Sequence, residues 1–197
     1  MNAVMNATKS KSTATKPMTS KAMLSDANLA RWAKQVSQNL KRRGETLAVA
    51  ESCTGGFLAK VLTDLPGSSE WFLGGWVVYS NDAKQRDAKV STHILKRHGA
   101  VSEPVVVELA RGALTRFESH WSVAISGVAG PSGGSKAKPV GSVWLALGNR
   151  RGSRQTVDTY WCRFEGTRDQ IRRHSVLIAL QGLAAQTSAP VRAQKSA

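Results

Sequence analysis

Apolar residues follow two spacings along this chain, and the two alternate. In the first segment, apolar side chains recur three or four residues apart, at Leu29, Trp32, Val36 and Leu40. This period predicts a helix, which begins at the capping signal of residues 25–26 and stops at Gly44. Further helical patterns occupy residues 54–64, 92–98, 102–117 and 167–185, with another helix cap at 80–82.

Short apolar runs lie between these helices, at residues 46–50, 75–79, 121–126, 140–147 and 156–164. Runs of this length predict buried strands. Strands and helices alternate at first, and the last two strands are joined by a turn at residues 149–152, which predicts a hairpin. We therefore predict an α/β fold, a three-layer α/β/α sandwich with a mostly parallel sheet of about five strands and one antiparallel strand.

The loops after residues 50, 79 and 126 would gather at the carboxyl ends of the strands, where sheets of this class bind ligands. In the first of these loops, residues 50–56 read AESCTGG. A small hydroxyl residue followed by two glycines at a strand-to-helix turn can present a nucleophile, and the free N–H groups of the helix can bind an oxyanion. The same pattern is also found in ordinary connectors, so the turn alone leaves both interpretations open.

Length and composition predict one domain with a tail at each end. The chain has 197 residues and a mass of 21.2 kDa. Residues 1–24 are rich in Ser, Thr, Ala and Lys, which predicts a disordered basic tail. The domain is expected over residues 25–186 and a flexible tail over 187–197. No apolar run is long enough to span a bilayer and no signal-peptide core is present, so we expect a cytoplasmic protein without a membrane partner.

The chain carries 28 basic and 13 acidic residues, a net charge of +15. Such an excess suits a polyanion, an anionic membrane surface or an anionic small substrate. The basic residues are scattered, however, and no nucleic-acid-binding motif organises them, which favours a solvated basic surface. Cys53 and Cys162 do not have the spacing of metal ligands, and we expect two reduced thiols and no metal.

Six segments carry a family resemblance. In chain order they are residues 50–56 (AESCTGG), 66–72 (PGSSEWF), 79–84 (YSNDAK), 99–104 (GAVSEP), 126–134 (SGVAGPSGG) and 138–144 (KPVGSVW). They lie between residues 50 and 144, and the chain over roughly residues 25–186 resembles the CinA C-terminal domain family, the nicotinamide-nucleotide amidohydrolases. Six ordered matches are far more specific than any single motif.

The resemblance implies a compact α/β/α sandwich, often oligomeric, that acts on a small nucleotide. The implied reaction removes the amide of nicotinamide mononucleotide as ammonia, leaves nicotinate mononucleotide, and needs no metal or cofactor. Longer members carry an additional N-terminal domain with metal-dependent pyrophosphatase activity, and from the length of this chain we expect neither that domain nor that activity.

The resemblance also implies three catalytic residues. It places the nucleophile at Ser52, the base at Lys84 and a catalytic tyrosine at Tyr79, which would relay a proton or align the other two. A buried lysine can act as a base once desolvation lowers its pKa. Taken alone, the same residues could be a helix cap, a solvated lysine and a packed strand residue.

The substrate-binding residues expected around this triad are backbone and loop positions. Thr54, Gly55 and Gly56 would supply oxyanion N–H donors. The loop with Gly127, Gly130, Gly133 and Gly134 would cradle the ribose phosphate, and Lys138 would meet the phosphate as a point charge; a flexible loop without a ligand is the alternative.

The roles of two neighbours of Ser52 remain open on sequence alone. Cys53 is a rival nucleophile without an identifiable His partner. Glu51 either orients Lys84 or caps a backbone group.

A second functional class is a non-catalytic nucleotide- or DNA-binding accessory protein related to competence or DNA damage. This alternative draws on the positive charge and on the name of the family. It would require a continuous basic face and an affinity that falls steeply with salt.

Overall fold

A central sheet of five strands organises the part of the chain that the computed structural model describes, residues 20–188. The strands are β1 (Leu47–Glu51), β2 (Phe72–Val77), β3 (Trp121–Gly127), β4 (Ser142–Arg151) and β5 (Arg154–Arg163). The helices are α1 (Ser20–Met23), α2 (Asp26–Arg43), α3 (Phe57–Thr63), α4 (Asn81–Arg86), α5 (Thr92–His98), α6 (Glu103–Arg116) and α7 (Arg168–Ser188), with a short 3-10 helix at Ser68–Glu70.

The strand order is β2-β1-β3-β4-β5. Strand β1 is parallel to both β2 and β3, whereas β4 is antiparallel to both β3 and β5. Four strands therefore run in one direction and β4 alone runs in the other. This confirms the predicted mostly parallel sheet with one antiparallel strand.

Helices cover both faces of the sheet, which confirms the three-layer sandwich. On β1, Leu47 and Val49 belong to the core shared with α2, α3 and α7, while Ala48 and Ala50 belong to the core shared with α6. All five residues of β1 are buried, as expected for a parallel strand with helices on either side.

Two elements begin three residues away from their predicted starts. Helix α3 starts at Phe57 rather than at residue 54. Gly55 and Gly56 adopt left-handed backbone angles, with φ of 60° and 85°, and so cannot belong to the right-handed helix that follows. Strand β2 starts at Phe72 rather than at residue 75. The register of β2 against β1 shifts between Leu47 and Ala48, so the first residues of β2 do not continue the regular alternation that predicts a strand.

The predicted tails fall largely on residues 1–19 and 189–197, which lie outside the described residues. At the inner end of the N-terminal segment, Ser20–Met23 form α1 and Leu24 is buried. Helix α7 continues past the predicted boundary, and Thr187 is buried where it accepts a hydrogen bond from Asn39. None of the helices between residues 20 and 188 has the length and apolar content that crossing a membrane requires.

Candidate active site

The loops after β1, β2 and β3 meet at one edge of the sheet, where three parallel strands end. The closest link is between Ser52, directly after β1, and Lys84 of α4, whose Nζ lies 3.1 Å from Ser52 Oγ. The loop after β3 is equally near, because a Cβ added to Gly127 would lie 3.1 Å from Cys53 Sγ. The structure thus brings together the three loops that the topology placed at this edge.

A tight turn positions Ser52. Its N–H donates to Ile125 of β3 at 2.9 Å, and its carbonyl accepts from the Gly55 N–H at 3.0 Å. The following glycines take left-handed angles, which side chains with a Cβ adopt only with strain. Ser52 is 7% exposed, so its hydroxyl sits just below the surface.

Glu51 holds the next helix against this turn. Its side chain is fully buried, and its two carboxylate oxygens accept from the Leu58 N–H at 3.1 Å and the Ala59 N–H at 2.8 Å. These are the N–H groups at the start of α3 that the helix itself leaves unpaired. Of the two roles that the sequence left open for Glu51, the structure shows the cap.

Lys84 is buried without an acidic partner. It is 1% exposed, and its Nζ bonds the Val78 carbonyl at 2.7 Å and the Tyr79 carbonyl at 3.1 Å in addition to Ser52. Within residues 20–188 no carboxylate bonds or pairs with this amine. Burial therefore lowers the pKa of Lys84 from 10.5 to about 8, since desolvation disfavours the charged form.

These three contacts match the three N–H donors of the protonated amine, and they can also be kept by the neutral amine. A neutral amine has two N–H donors and one lone pair, whereas a protonated lysine has three donors. The two carbonyls can only accept, so they take the two N–H groups. The lone pair is then left for the Ser52 hydroxyl proton, which is the arrangement that general-base activation of a serine needs.

Tyr79 enters the site through its backbone. Its carbonyl accepts from Lys84, while the residue as a whole is 59% exposed and its hydroxyl accepts from Arg168 Nη2 at 3.0 Å. Among the described contacts, the phenol reaches neither Lys84 nor Ser52. The structure therefore places Tyr79 differently from the expected proton relay, with its side chain at the mouth of the site.

Of the backbone N–H groups expected to bind the oxyanion, one already has a hydrogen-bond acceptor. The Gly55 N–H is taken by the Ser52 carbonyl. In the described part of the chain, the N–H groups of Thr54 and Gly56 have no hydrogen-bond acceptor, which leaves them for a ligand. Arg172 stabilises the turn, because it donates to the Thr54 carbonyl through Nε at 3.2 Å and Nη2 at 2.7 Å.

The glycine-rich loop after β3 is anchored at its base. The Val128 N–H donates to Ser142 at 2.8 Å, and its carbonyl accepts from Gly141 at 2.7 Å. Gly133 and Gly134, farther along, are exposed and have φ of 84° and 83°.

Lys138, which we expected on the phosphate, has its amine on the His98 carbonyl. It therefore satisfies the carboxyl end of α5.

Sequence reasoning missed Arg168 and Arg172, which it treated as scattered surface charge. Both come from the first turns of α7, and their spacing of four residues places them on one helix face. Arg168 donates to the Gly130 carbonyl at 2.7 Å and to the Tyr79 hydroxyl, so it joins the second and third loops. The i, i+4 spacing was visible in the sequence, but the loops that this face meets were not.

The rival nucleophile and a metal centre find little support. Cys53 is 5% exposed, and burial raises the pKa of its thiol to about 12, which disfavours the reactive thiolate. Burial likewise raises the pKa of Cys162 to about 11, and both cysteines are free. Between residues 20 and 188 there is no group of three or more His, Cys, Asp or Glu side chains placed to hold a metal ion.

Comparison with known proteins identifies the family of the chain. A family model described as CinA C-terminal domain matches residues 29–187. Nicotinamide-nucleotide amidohydrolase PncC of Escherichia coli is 51% identical over 160 residues, which are 81% of this chain and 95% of the relative. The protein of the same name from Pseudomonas putida is 46% identical over 151 residues, 77% of this chain and 92% of the relative.

A solved structure extends the comparison to the fold. The competence/damage inducible protein CihA from Agrobacterium tumefaciens has a TM-score of 0.77 and 39% sequence identity, and the match covers 82% of this chain and 95% of that chain. Because the family model and these relatives match over most of the chain, the protein belongs to the CinA C-terminal domain family.

Proposed function

We propose that this protein is a nicotinamide-nucleotide amidohydrolase that converts nicotinamide mononucleotide to nicotinate mononucleotide and ammonia. The observation that carries the proposal is the buried Lys84 amine, 3.1 Å from Ser52 Oγ and with a pKa lowered to about 8. Relatives at 51% and 46% identity bear the name of this activity. We also expect a cytoplasmic enzyme that assembles from more than one copy.

In the first half of the reaction, Ser52 attacks the carboxamide carbon. Neutral Lys84 takes the hydroxyl proton as the new carbon–oxygen bond forms, and the carbonyl oxygen becomes an oxyanion. The free N–H groups of Thr54 and Gly56 are the donors that we assign to this oxyanion. Protonated Lys84 then gives its proton to the departing nitrogen, ammonia leaves, and a nicotinoyl ester of Ser52 remains.

In the second half, water hydrolyses the ester. Neutral Lys84 takes a proton from the water, whose oxygen bonds to the acyl carbon. When this second tetrahedral intermediate collapses, Lys84 returns the proton to Ser52 Oγ and the acid product is released. The Val78 and Tyr79 carbonyls keep the amine in line with Ser52 through both halves.

The nucleotide part of the substrate is expected along the loop of residues 127–134. Gly127 borders the Ser52 turn, so a pyridine ring seated on Ser52 would extend its ribose phosphate toward this loop. Arg168 is the cation bonded between this loop and Tyr79, and we assign the phosphate contact to it. Lys138 would take part only after leaving the His98 carbonyl.

The deciding experiment is ammonia release from nicotinamide mononucleotide by the purified chain, with a chelator present. Wild type should turn over, Ser52→Ala should be inactive while folded, and Cys53→Ala should keep its activity because the buried thiol has a raised pKa. Activity in Ser52→Ala together with its loss in Cys53→Ala would move the nucleophile to Cys53. A folded wild-type chain without turnover would favour the nucleotide- or DNA-binding alternative.

A further inference from the structure

Strand β5 leaves one long edge of the sheet open. It is the last strand in the order, and it pairs with β4 over ten residues without a bulge. Within residues 20–188 no other strand pairs with it. A long, regular edge strand that contains no proline presents a row of backbone donors and acceptors for a further strand.

The direction of these backbone groups follows from the pairing with β4. The hairpin closes at Arg151 opposite Arg154, and the Phe164 N–H donates to Gly141 at 3.0 Å. Hydrogen bonding alternates along an antiparallel strand, so the even-numbered residues of β5 bond β4. The odd-numbered residues from 155 to 163 therefore turn their N–H and C=O groups outward.

Both faces of this edge carry an exposed aromatic side chain. Tyr160 is 36% exposed and Trp161 is 54% exposed. Trp161 lies opposite Trp144, which packs in the core on the α6 side, and Tyr160 lies opposite Leu145, in the core on the α7 side. Exposed aromatics on opposite faces of the same edge indicate a partner that continues the sheet, because a partner on one face would leave the other ring uncovered.

An apolar groove adjoins Tyr160 on the α7 side. It has a volume of about 250 Å³, and its walls include Leu145, Leu147, Ile178 and Gly182. Gln186 donates to Asp158 at 2.9 Å and to the Tyr160 hydroxyl at 3.3 Å, which closes one side of the groove. A side chain reaching in from beyond β5 would find apolar walls there.

The opposite edge of the sheet is less suited to pairing. Strand β2 has six residues and a register shift near its start. It also contains Gly74, with φ of 124°, and Gly75. Shortness, a bulge and glycines are features that weaken an edge strand as a template.

We propose that β5 pairs antiparallel with β5 of a second copy of this chain, about a two-fold axis at Thr159, and joins the two sheets into one of ten strands. The two-fold arrangement makes the surface self-complementary. Each copy supplies the same strand, the same two aromatic rings and the same groove.

Charge and overlap select this register. Centring the axis on Asp158 would set this carboxylate against its own copy, which is destabilising. Centring it on Thr159 pairs residues 155–163 and puts no like charges opposite each other. Trp161 then faces Val157 of the second copy, and Tyr160 faces Asp158 of the second copy, next to the groove.

The size of the contact supports a stable dimer. The nine paired residues span about 31 Å, and a sheet flanked by side chains on both faces is roughly 20 Å high. This strip corresponds to on the order of 600 Å² per copy, at the lower end of the roughly 600–1,000 Å² per partner of a standard interface.

Assembly of the full chain, measured by sedimentation and light scattering, tests the proposal independently of catalysis. Wild type should have twice the 21.2 kDa mass of one chain. Trp161→Lys should weaken the dimer roughly 100-fold or more, since a central Trp dominates such contacts. Thr159→Pro removes an outward N–H and should also weaken it. Leu73→Lys, the same kind of change at an exposed residue of β2, is the matched control and should leave the mass unchanged.

Crosslinking tests the register and does not depend on whether the proline variant folds. Thr159→Cys would place two Cα atoms about 5.5 Å apart across the axis, within disulfide range, and should form a dimer under mild oxidation. Gln155→Cys lies on the same edge and face but about 27 Å from its copy, and should not.

Three results would overturn the proposal. One is a full-length wild-type chain that stays monomeric at high micromolar concentration. This result counts against the proposal even if a chain without residues 189–197 dimerises. Another is a dimer that survives both Trp161→Lys and Thr159→Pro. The third is equal crosslinking of Thr159→Cys and Gln155→Cys.

Discussion

The pKa of Lys84 makes a quantitative prediction about the pH dependence of the proposed reaction. The amine is 1% exposed and has no acidic partner among the described residues, and burial lowers its pKa to about 8. At pH 7 about one tenth of such amines are neutral, compared with roughly one in three thousand for an ordinary lysine. Burial thus raises the concentration of the base roughly 300-fold.

The assay is ammonia release from nicotinamide mononucleotide at low substrate concentration, from pH 6 to pH 9.5. We expect kcat/KM to rise about tenfold per pH unit well below pH 8 and to level off above it, because only neutral Lys84 accepts the serine proton. Lys84→Met should lower kcat/KM by about a thousandfold or more. Lys60→Met, at an exposed lysine paired with Asp64, is the matched control and should retain wild-type activity.

Lys84→Met, which should lower activity, should raise the free energy of unfolding. Below pH 8 the folded protein keeps a buried amine whose charged form is disfavoured, a cost of about 3 kcal/mol from the pKa difference. Lys84→Met removes this cost but leaves two carbonyls unpaired, so the net gain in unfolding free energy is on the order of 1 kcal/mol. The gain should shrink as the pH rises from 8 to 10.5, because wild type becomes more stable across that window.

Three results would refute this reasoning. A flat kcat/KM profile between pH 6 and 8 would show that no group with this pKa limits the reaction. Lys84→Met activity within tenfold of wild type would exclude Lys84 as the base. Denaturant titrations in which Lys84→Met is less stable than wild type at pH 6 would show that the amine is not under the desolvation strain inferred from its burial.

Three further variants test the groups around Ser52 and Lys84. Glu51→Ala should lower the unfolding free energy by about 1–2 kcal/mol in urea titrations, through loss of the α3 cap, with Glu51→Gln in between; equal stability of all three would contradict the capping role. Tyr79→Phe should keep kcat within about tenfold, because Lys84 bonds the backbone carbonyl of Tyr79; a thousandfold loss would restore the phenol as a relay. Arg168→Gln should raise KM for nicotinamide mononucleotide roughly tenfold or more, as expected for loss of a charged contact, but hardly change turnover of nicotinamide riboside, which lacks the phosphate. Equal effects on both substrates would exclude the phosphate contact.

Residues that act through local geometry were predictable. The cap at Ser80 is present, with its hydroxyl accepting from the Ala83 N–H. Capping depends on neighbours within a few positions, so the pattern around the residue is sufficient.

Residues that act across the fold were predicted less well. Arg168 contacts Tyr79, 89 positions away in the chain, and Arg172 contacts Thr54, 118 positions away. Lys138 was expected on a phosphate and instead bonds His98, 40 positions away. The partner of a long, flexible cation depends on which elements pack beside it, and single-residue patterns do not contain that information.

The sequence by itself determined the order of helices and strands, the α/β class with its single reversed strand, and the three loops that carry the candidate chemistry, because periodicity and capping are local properties. Only the tertiary structure decided that the Lys84 amine faces Ser52 without an acidic partner, that Glu51 caps a helix and that the Tyr79 ring points outward. These outcomes depend on burial and on contacts between distant segments. The pKa of a lysine is an example, since it is set by the water and charges that the fold removes from around it.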